Sequence, residues 1–388
     1  VKRATLYAYA SRGALRSRPV AGSRERRYAR EDVARLAARS AARAGHAAVA
    51  AGALRWGEPV LDTAVSGIDP ERGPLYRGVP AIELARRGES FEAVCALLWG
   101  TRPAPFSVDR LPRSSGAWRT ARPLERLALA LPAMALEDPA RFVTSEDAEL
   151  ARGRRTILRS VAALAGDPAR ARAALAERSV ARALAVALGA RAGAAPAIDR
   201  ALVVAADHEL NVSTFAARVV ASTGADLYAC LTAALAALGG PAHGGMSDRV
   251  EAFLGELRRP EDAARIVRER LARGDPLVGF GHPLYPSGDP RAAFLLEEAE
   301  RLAPRSLTVR KALALRDAVR LVGAGEPALD LGLVAIAAAA RLPAGTAIAL
   351  FAIGRMAGWI AHVREQRTMG QLLRPRARYV GDRSRRDT

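Results

Sequence analysis

β-Branched runs are short along this chain, whereas Ala, Leu, Arg and Glu dominate windows such as Ser90 to Trp99, Ser145 to Leu164 and Asp262 to Ala272. That pattern predicts a mostly α protein. Helix punctuation is clear at Gly166-Asp167-Pro168, Ala195-Pro196, Gly239-Gly240-Pro241 and Gly325-Glu326-Pro327, where Pro or Gly ends one periodic stretch and opens the next. One segment departs from the pattern. In Leu61 to Val79 the turn-forming Asp69-Pro70-Glu71-Arg72-Gly73 sits between two short extended pieces and predicts a small hairpin. No fixed-period repeat and no low-complexity linker interrupts the chain.

At 388 residues, half of them apolar and 26% charged, the chain is long enough to bury a sizeable core in more than one unit. Its longest uncharged stretch, Leu227 to Ser247, is broken by Gly239, Gly240 and Pro241, so no segment reads as a membrane span. Cys95 and Cys230 are the only cysteines. Their number and spacing fit neither a zinc site nor a disulfide scaffold. With no secretory leader in view, the expected location is the cytoplasm. The chain opens on Val1 inside an apparent structural element, so we expect natural sequence to precede it.

The net charge is +19, almost all of the basic excess being Arg, since Lys2 and Lys311 are the only lysines. Residues 1 to 43 hold twelve basic and three acidic side chains, nearly half of the net charge in about one ninth of the chain. Thr5-Leu6-Tyr7-Ala8-Tyr9 reads as a helix stopped at Ser11-Arg12-Gly13, Ser17 to Arg27 as an Arg-rich loop or hairpin, and Glu31 to Arg43 as a second helix with Val33, Leu36 and Ala37 on one face. This stretch resembles the later part of a MerR-type winged helix-turn-helix, which implies DNA contact through the groove-facing helix and an Arg-rich wing. A solvated basic arm packed by an amphipathic helix is the other reading.

Candidate chemistry gathers beyond residue 200. Asp207-His208-Glu209-Leu210-Asn211 is a polar cluster before a helix, where His208 is either a functional group or a helix cap. His243 lies in the Gly-rich turn 239 to 247, ahead of an amphipathic helix over Asp248 to Leu257. A helix N-terminus disfavours imidazolium, so His243 suits the role of a neutral hydrogen-bond donor. His282 follows Gly279-Phe280-Gly281, and Asp289-Pro290-Arg291 comes soon after. That arrangement suits an anionic carbonyl compound, with Arg291 as a carboxylate fork and Asp289 as a helix cap.

Asp207-His208-Glu209, Pro241-Ala242-His243-Gly244-Gly245, Gly279-Phe280-Gly281-His282 with Asp289-Pro290-Arg291, and Gly354-Arg355-x-x-Gly358-Trp359-Ile360-Ala361-His362 together resemble citrate synthases in their order. Similarity runs from about Ala51 to Gly381, helped by Ile68-Asp69-x-x-x-Gly73-x-Leu75-x-Arg77-Gly78. The resemblance implies condensation of acetyl-CoA with oxaloacetate to citrate and free CoA. It implies Asp330 as the base for the methyl proton, His243 as donor to the thioester oxygen and His282 as donor to the ketone. It assigns His208, Arg291 and Arg355 to the carboxylates, with Arg374 reaching in from a partner subunit.

The fold so implied is a two-domain helical one, with a large domain over 50 to 245 and 341 to 388, a small domain over 246 to 340, and a partial helix-turn-helix-like segment over 1 to 43. A homodimer is implied, and no metal or redox cofactor, since coenzyme A enters within the substrate. Pro283-Leu284 after His282, Leu331 after Asp330 and Ala205 before the Asp207 motif depart from the family's commoner residues. Those departures leave propionyl-CoA, and hence a 2-methylcitrate synthase, open beside acetyl-CoA. A DNA-binding regulator that uses the same body as a metabolite sensor is the reading from another class.

Overall fold

The computed structural model describes residues 17–19, 26–28, 61–108 and 121–377. The chain divides into two units, residues 1–62 and 63–388. In the first, β1 (Ser17–Pro19) pairs antiparallel with β2 (Arg26–Tyr28), with Arg18 opposite Arg27. This is the hairpin alternative for Ser17 to Arg27. The helices expected at Thr5 to Tyr9 and Glu31 to Arg43 lie outside the described residues.

The second unit opens with a three-stranded antiparallel sheet, β3 (Ser66–Asp69), β4 (Gly73–Tyr76) and β5 (Val79–Pro80). The predicted hairpin is there, its turn held by Asp69 Oδ1, which accepts the N–H groups of Glu71 and Arg72. A two-residue third strand, too short to leave a pattern in the sequence, extends it.

Fifteen α-helices follow among the described residues. The first nine are α1 (Ala81–Arg87), α2 (Phe91–Trp99), α3 (Pro123–Leu136), α4 (Glu146–Leu164), α5 (Pro168–Leu175), α6 (Val180–Leu188), α7 (Ala195–Ala205), α8 (Val212–Ala221) and α9 (Leu227–Leu238). The remaining six are α10 (Met246–Glu256), α11 (Ala263–Arg273), α12 (Pro290–Leu302), α13 (Leu307–Leu321), α14 (Leu329–Ala339) and α15 (Ala347–Met369).

Their ends follow the punctuation of the sequence. Ser90 caps α2 by accepting the Ala93 N–H, and Gly100 closes it in a left-handed conformation. Asp167 caps α5, with Pro168 in its first turn. These are ordinary solutions to the unpaired N–H and C=O groups at helix ends. The helix expected over Asp248 to Leu257 starts two residues earlier, at Met246, and stops at Glu256, because Leu257 turns extended.

Most helices show the core one stripe, but α15 is buried on nearly every side. A helix apolar all round belongs at the centre, and α7, α8, α9 and α14 all pack on α15. Its neighbour α14 forms with α12 the most extensive helix pair. Both cysteines are free and buried, Cys95 in α2 and Cys230 in α9. Among the described residues no helix is long and apolar enough to cross a membrane.

Candidate active site

The central helix builds the floor of the site. A Cβ on Gly358 would lie 2.1 Å from Asp207 Oδ1, and one on Gly354 would lie 3.0 Å from the Leu202 carbonyl oxygen. The missing side chains let the end of α7 and the turn after it lie directly on α15, where the Gly358 N–H bonds the Ala206 carbonyl at 3.0 Å. Between these glycines stands Arg355, almost fully buried. Its Nε donates to the Ala205 carbonyl at 2.8 Å, and its guanidinium lies over the Phe351 ring. Among the described residues no carboxylate forms an ion pair with it; burial brings its pKa down to about 10, against the pull of the Asp207 carboxylate. A buried cation with no carboxylate in direct contact favours an anionic ligand.

Asp330 sits in the first turn of α14, but it does not cap that helix. Its Oδ1 instead accepts a 2.6 Å hydrogen bond from Ser247 Oγ in α10. Burial pushes the carboxyl up to about 6, against the pull of Ser247 and Arg291. A carboxyl tuned there is ionised near neutrality yet more basic than an ordinary Asp, which suits a general base.

His243 Nε2 lies 2.9 Å from Ser213 Oγ, and the same oxygen accepts Trp359 Nε1–H at 3.1 Å. Ser213 has one proton to give, to Asn211 Oδ1 at 2.7 Å or to His243. Donation to His243 Nε2 places the imidazole proton on Nδ1. Burial, with Arg355 next in weight, lowers the His243 pKa to about 4. The imidazole is therefore neutral, as expected, although desolvation rather than the helix end is the main cause.

The loop carrying His282 is tied to the approach to α14, where Gly281 N–H bonds the Glu326 carbonyl and Ala328 N–H bonds the Gly279 carbonyl, each at 2.8 Å. Gly279 and Gly281 both hold φ near +80°, a backbone that glycine adopts without strain. His282 Nδ1 accepts the Leu284 N–H at 3.2 Å, and burial, with Arg291 nearby, lowers its pKa. Neutral with Nδ1 accepting, the ring carries its proton on Nε2.

His208 stacks edge-on to His282 at 5.5 Å, and its Nε2 lies 2.7 Å from the Tyr285 hydroxyl. Burial first, then Arg291 and Arg355, hold its pKa well below the usual value. It caps nothing; Asn211 Oδ1 caps α8 instead. Arg291 is clamped by Asp289 through Nε at 3.0 Å and NH2 at 2.7 Å. Asp289 at the same time caps α12. The NH1 of Arg291 is buried without a partner, a costly state for a guanidinium nitrogen unless a ligand oxygen meets it.

Six of the seven expected residues thus meet in one place, with three neutral imidazoles, two buried guanidiniums and one raised carboxyl. Arg374 does not join them. It lies exposed beyond α15 and shares no hydrogen bond or ion pair with the cluster.

Several partners carried no assignment in the sequence. Ser247 and Tyr285 stand within the Gly-rich His motifs, and adjacency was the only signal for them. Asp207 and His362 form a fully buried pair at 3.0 Å beneath the site, with Ser66 Oγ also donating to Asp207. They are 155 residues apart, so only the fold reveals the pair. Among the described residues no group of three or more His, Cys, Asp or Glu is placed to hold a metal.

This chain is similar to known proteins. A putative citrate synthase 2 from Mycobacterium tuberculosis is 46% identical over 191 residues, 48% of this chain and 51% of that protein, so that match spans about half of the relative's length. A 2-methylcitrate synthase from Mycobacterium tuberculosis is 30% identical over 360 residues, covering 85% of this chain and 90% of that one. Among solved structures, citrate synthase from Thermoplasma acidophilum, in a ternary complex with carboxymethyl coenzyme A and oxaloacetate, superposes with a TM-score of 0.73 at 27% identity, covering 84% of this chain and 94% of that one. The family model for the citrate synthase C-terminal domain matches residues 53–376, a span that takes in all six clustered residues and the helix that floors them, and on that match the chain belongs to the citrate synthase family.

Proposed function

We propose that the protein condenses a short acyl-CoA with oxaloacetate and releases free coenzyme A, giving citrate from acetyl-CoA or 2-methylcitrate from propionyl-CoA. The observation that carries this reading is Asp330, a carboxyl raised to about 6 beside two neutral imidazole donors and two buried guanidiniums. Asp330 takes a proton from the carbon next to the thioester carbonyl. Ser213 donates to His243 Nε2, so His243 Nδ1–H meets the thioester oxygen as charge develops there. His282 Nε2–H donates to the ketone of oxaloacetate, whose carbon accepts the new C–C bond. Arg291 through its unpartnered NH1, Arg355 and His208 hold the carboxylates. Water then cleaves the C–S bond. No cofactor is needed, since coenzyme A is carried in by the thioester.

We assign the cleft to the meeting of a large domain, 50 to 245 with 341 to 388, and a small domain, 246 to 340, in a homodimer whose partner supplies Arg374. Closure of such a cleft excludes water during condensation. Release of coenzyme A thiol, followed with acetyl-CoA and with propionyl-CoA in the presence of oxaloacetate, tests the reading. Turnover with either confirms condensation, and the ratio of kcat/KM values assigns the acyl chain. Tight binding of oxaloacetate with no thiol release from either thioester would refute it and leave a metabolite sensor.

The hairpin of residues 17–19 and 26–28, with Arg18, Arg26 and Arg27 on its strands, supports a further assignment of residues 1 to 43 to duplex DNA. Its affinity should fall steeply with salt as phosphate counterions are released. Deleting residues 1 to 43 should abolish it without changing thiol release; DNA affinity that survives the deletion would refute this assignment.

A further inference from the structure

Tyr285 has no part in the condensation as assigned above, yet it touches three of the groups assigned to oxaloacetate. Its hydroxyl lies 2.7 Å from His208 Nε2, its ring centroid lies 4.9 Å from that of His282, and the Arg291 guanidinium lies over its ring at 5.5 Å. The residue is almost fully buried. Two successive turns fix its backbone, its N–H bonding the His282 carbonyl and its carbonyl accepting the Gly288 N–H, each at 3.0 Å.

The imidazole opposite is held as firmly. Ser66 Oγ accepts the Glu209 N–H at 3.1 Å and donates to the Asp207 carboxylate. The Tyr76 hydroxyl accepts the Asp207 N–H at 3.2 Å and donates to the Val203 carbonyl at 2.9 Å. Ser66 and Tyr76 face each other across β3 and β4, so one cross-strand pair ties down the backbone on both sides of His208. What remains to be set is the position of the ring's single proton.

A hydroxyl and a neutral imidazole can share a hydrogen bond in two ways. Burial pushes the Tyr285 hydroxyl up to about 12 and holds His208 well below its usual value, so each carries one proton near neutrality. Were His208 Nε2–H the donor, the Tyr285 proton would be left without an acceptor, because the hydroxyl makes no other hydrogen bond among the described residues. A buried unpaired donor is costly. With Tyr285 as donor that cost disappears, and the imidazole carries its proton on Nδ1. That nitrogen makes no hydrogen bond among the described residues, and Arg291 and Arg355 are near enough to depress the ring's pKa further. A donor in such company suits a carboxylate, whereas a bare nitrogen lone pair would repel one.

We propose that Tyr285 is a positioning residue for oxaloacetate, its hydroxyl holding His208 in the Nδ1–H form so that the imidazole donates to a substrate carboxylate. The inference rests on the condensation reading for the identity of the ligand. It completes a pattern, since Ser213 plays the corresponding part for His243 and the Leu284 N–H for His282.

Tyr285→Phe tests it, because the ring is kept and only the hydroxyl is lost. In full-length protein labelled with 15N at histidine Nδ1 alone, the His208 signal is the one that disappears in His208→Gln. It should show a protonated nitrogen in the wild type and shift toward an unprotonated one in Tyr285→Phe. Calorimetric titration with oxaloacetate should show binding weakened roughly two- to tenfold, the range of one hydrogen bond between neutral groups. In thiol release, KM for oxaloacetate should rise by more than kcat falls. A tyrosine that only filled space would move none of these. The wild-type spectrum needs no change at Tyr285, so a variant that melts lower leaves the test intact. An unprotonated His208 Nδ1 in the wild type, or a folded Tyr285→Phe with wild-type spectrum and oxaloacetate affinity, would overturn the inference. Spectrum and titration need no turnover, so a wild type that binds oxaloacetate but releases no thiol refutes condensation alone, and the spectrum still decides the role of Tyr285.

Discussion

Ser247→Ala separates the environment of the base from its identity. In the wild type the buried Ser247 hydroxyl donates at 2.6 Å to Asp330 Oδ1, which stabilises the ionised form and opposes the rise that burial causes. A hydrogen bond to a charged acceptor contributes about 1.5–3 kcal/mol. At about 1.4 kcal/mol per pKa unit, its loss should move Asp330 upward by roughly 1–2 units from its value near 6.

The sign is fixed, because removing a donor to the carboxylate disfavours the charged form. At pH 7 the ionised fraction should then fall from about nine tenths to between about one half and one tenth. The kcat/KM for the acyl-CoA should drop roughly two- to tenfold at pH 7 and recover by about pH 9, since the base itself is retained. The assay is thiol release across pH 5 to 9 with oxaloacetate saturating. An acid limb at the same pH in both proteins, or a deficit that persists undiminished at pH 9, would refute the assignment of that limb to Asp330.

Asp330→Asn and His282→Ala should each lower kcat by about 100-fold or more with the fold retained; near-normal thiol release from either removes that residue from the chemistry. His362→Gln leaves Asp207 buried without its cation and should destabilise the protein by about 3–5 kcal/mol. The His362 pKa is raised in the folded state by Asp207 against the opposing effect of burial, so its contribution is fully present below about pH 6.5 and lost as pH rises through the elevated value. The melting-temperature gap between wild type and His362→Gln should accordingly be wider at pH 6 than at pH 9, and a gap independent of pH would mean that the pair is not ionic. Arg374→Ala mixed with Asp330→Asn should regain thiol release through hybrid dimers that hold one intact site; hybrids that form without activity would place Arg374 outside the site.

Much of the fold was legible because local rules fix it. Ser90, Asp167 and Asp289 cap helices where the sequence places them, since a short polar side chain ahead of an apolar run meets the unpaired N–H groups of the first turn. His243 and His282 were legible for a related reason. The backbone beside them requires glycine, since a Cβ on Gly244 would lie 2.8 Å from the Leu238 side chain and Gly281 holds a positive φ. Even the neutral state of His243 was foreseen, though from the helix end and not from the burial that mainly produces it.

What the sequence could not contain is anything that depends on which distant groups come into contact. Asp330 lies in an apolar run that reads equally as core or as a cap, and its tuning comes from Ser247, 83 residues away. The unpartnered NH1 of Arg291 and the lack, among the described residues, of a carboxylate ion-paired with Arg355 are properties of packing, since in a chain with 59 basic residues no local pattern tells a buried guanidinium from a solvated one. By itself, the chain determined the helices, their caps and the residue types able to do the chemistry. Tertiary structure alone decided which of them share a desolvated cleft, because burial and electrostatic coupling act through space and leave no periodicity along the chain.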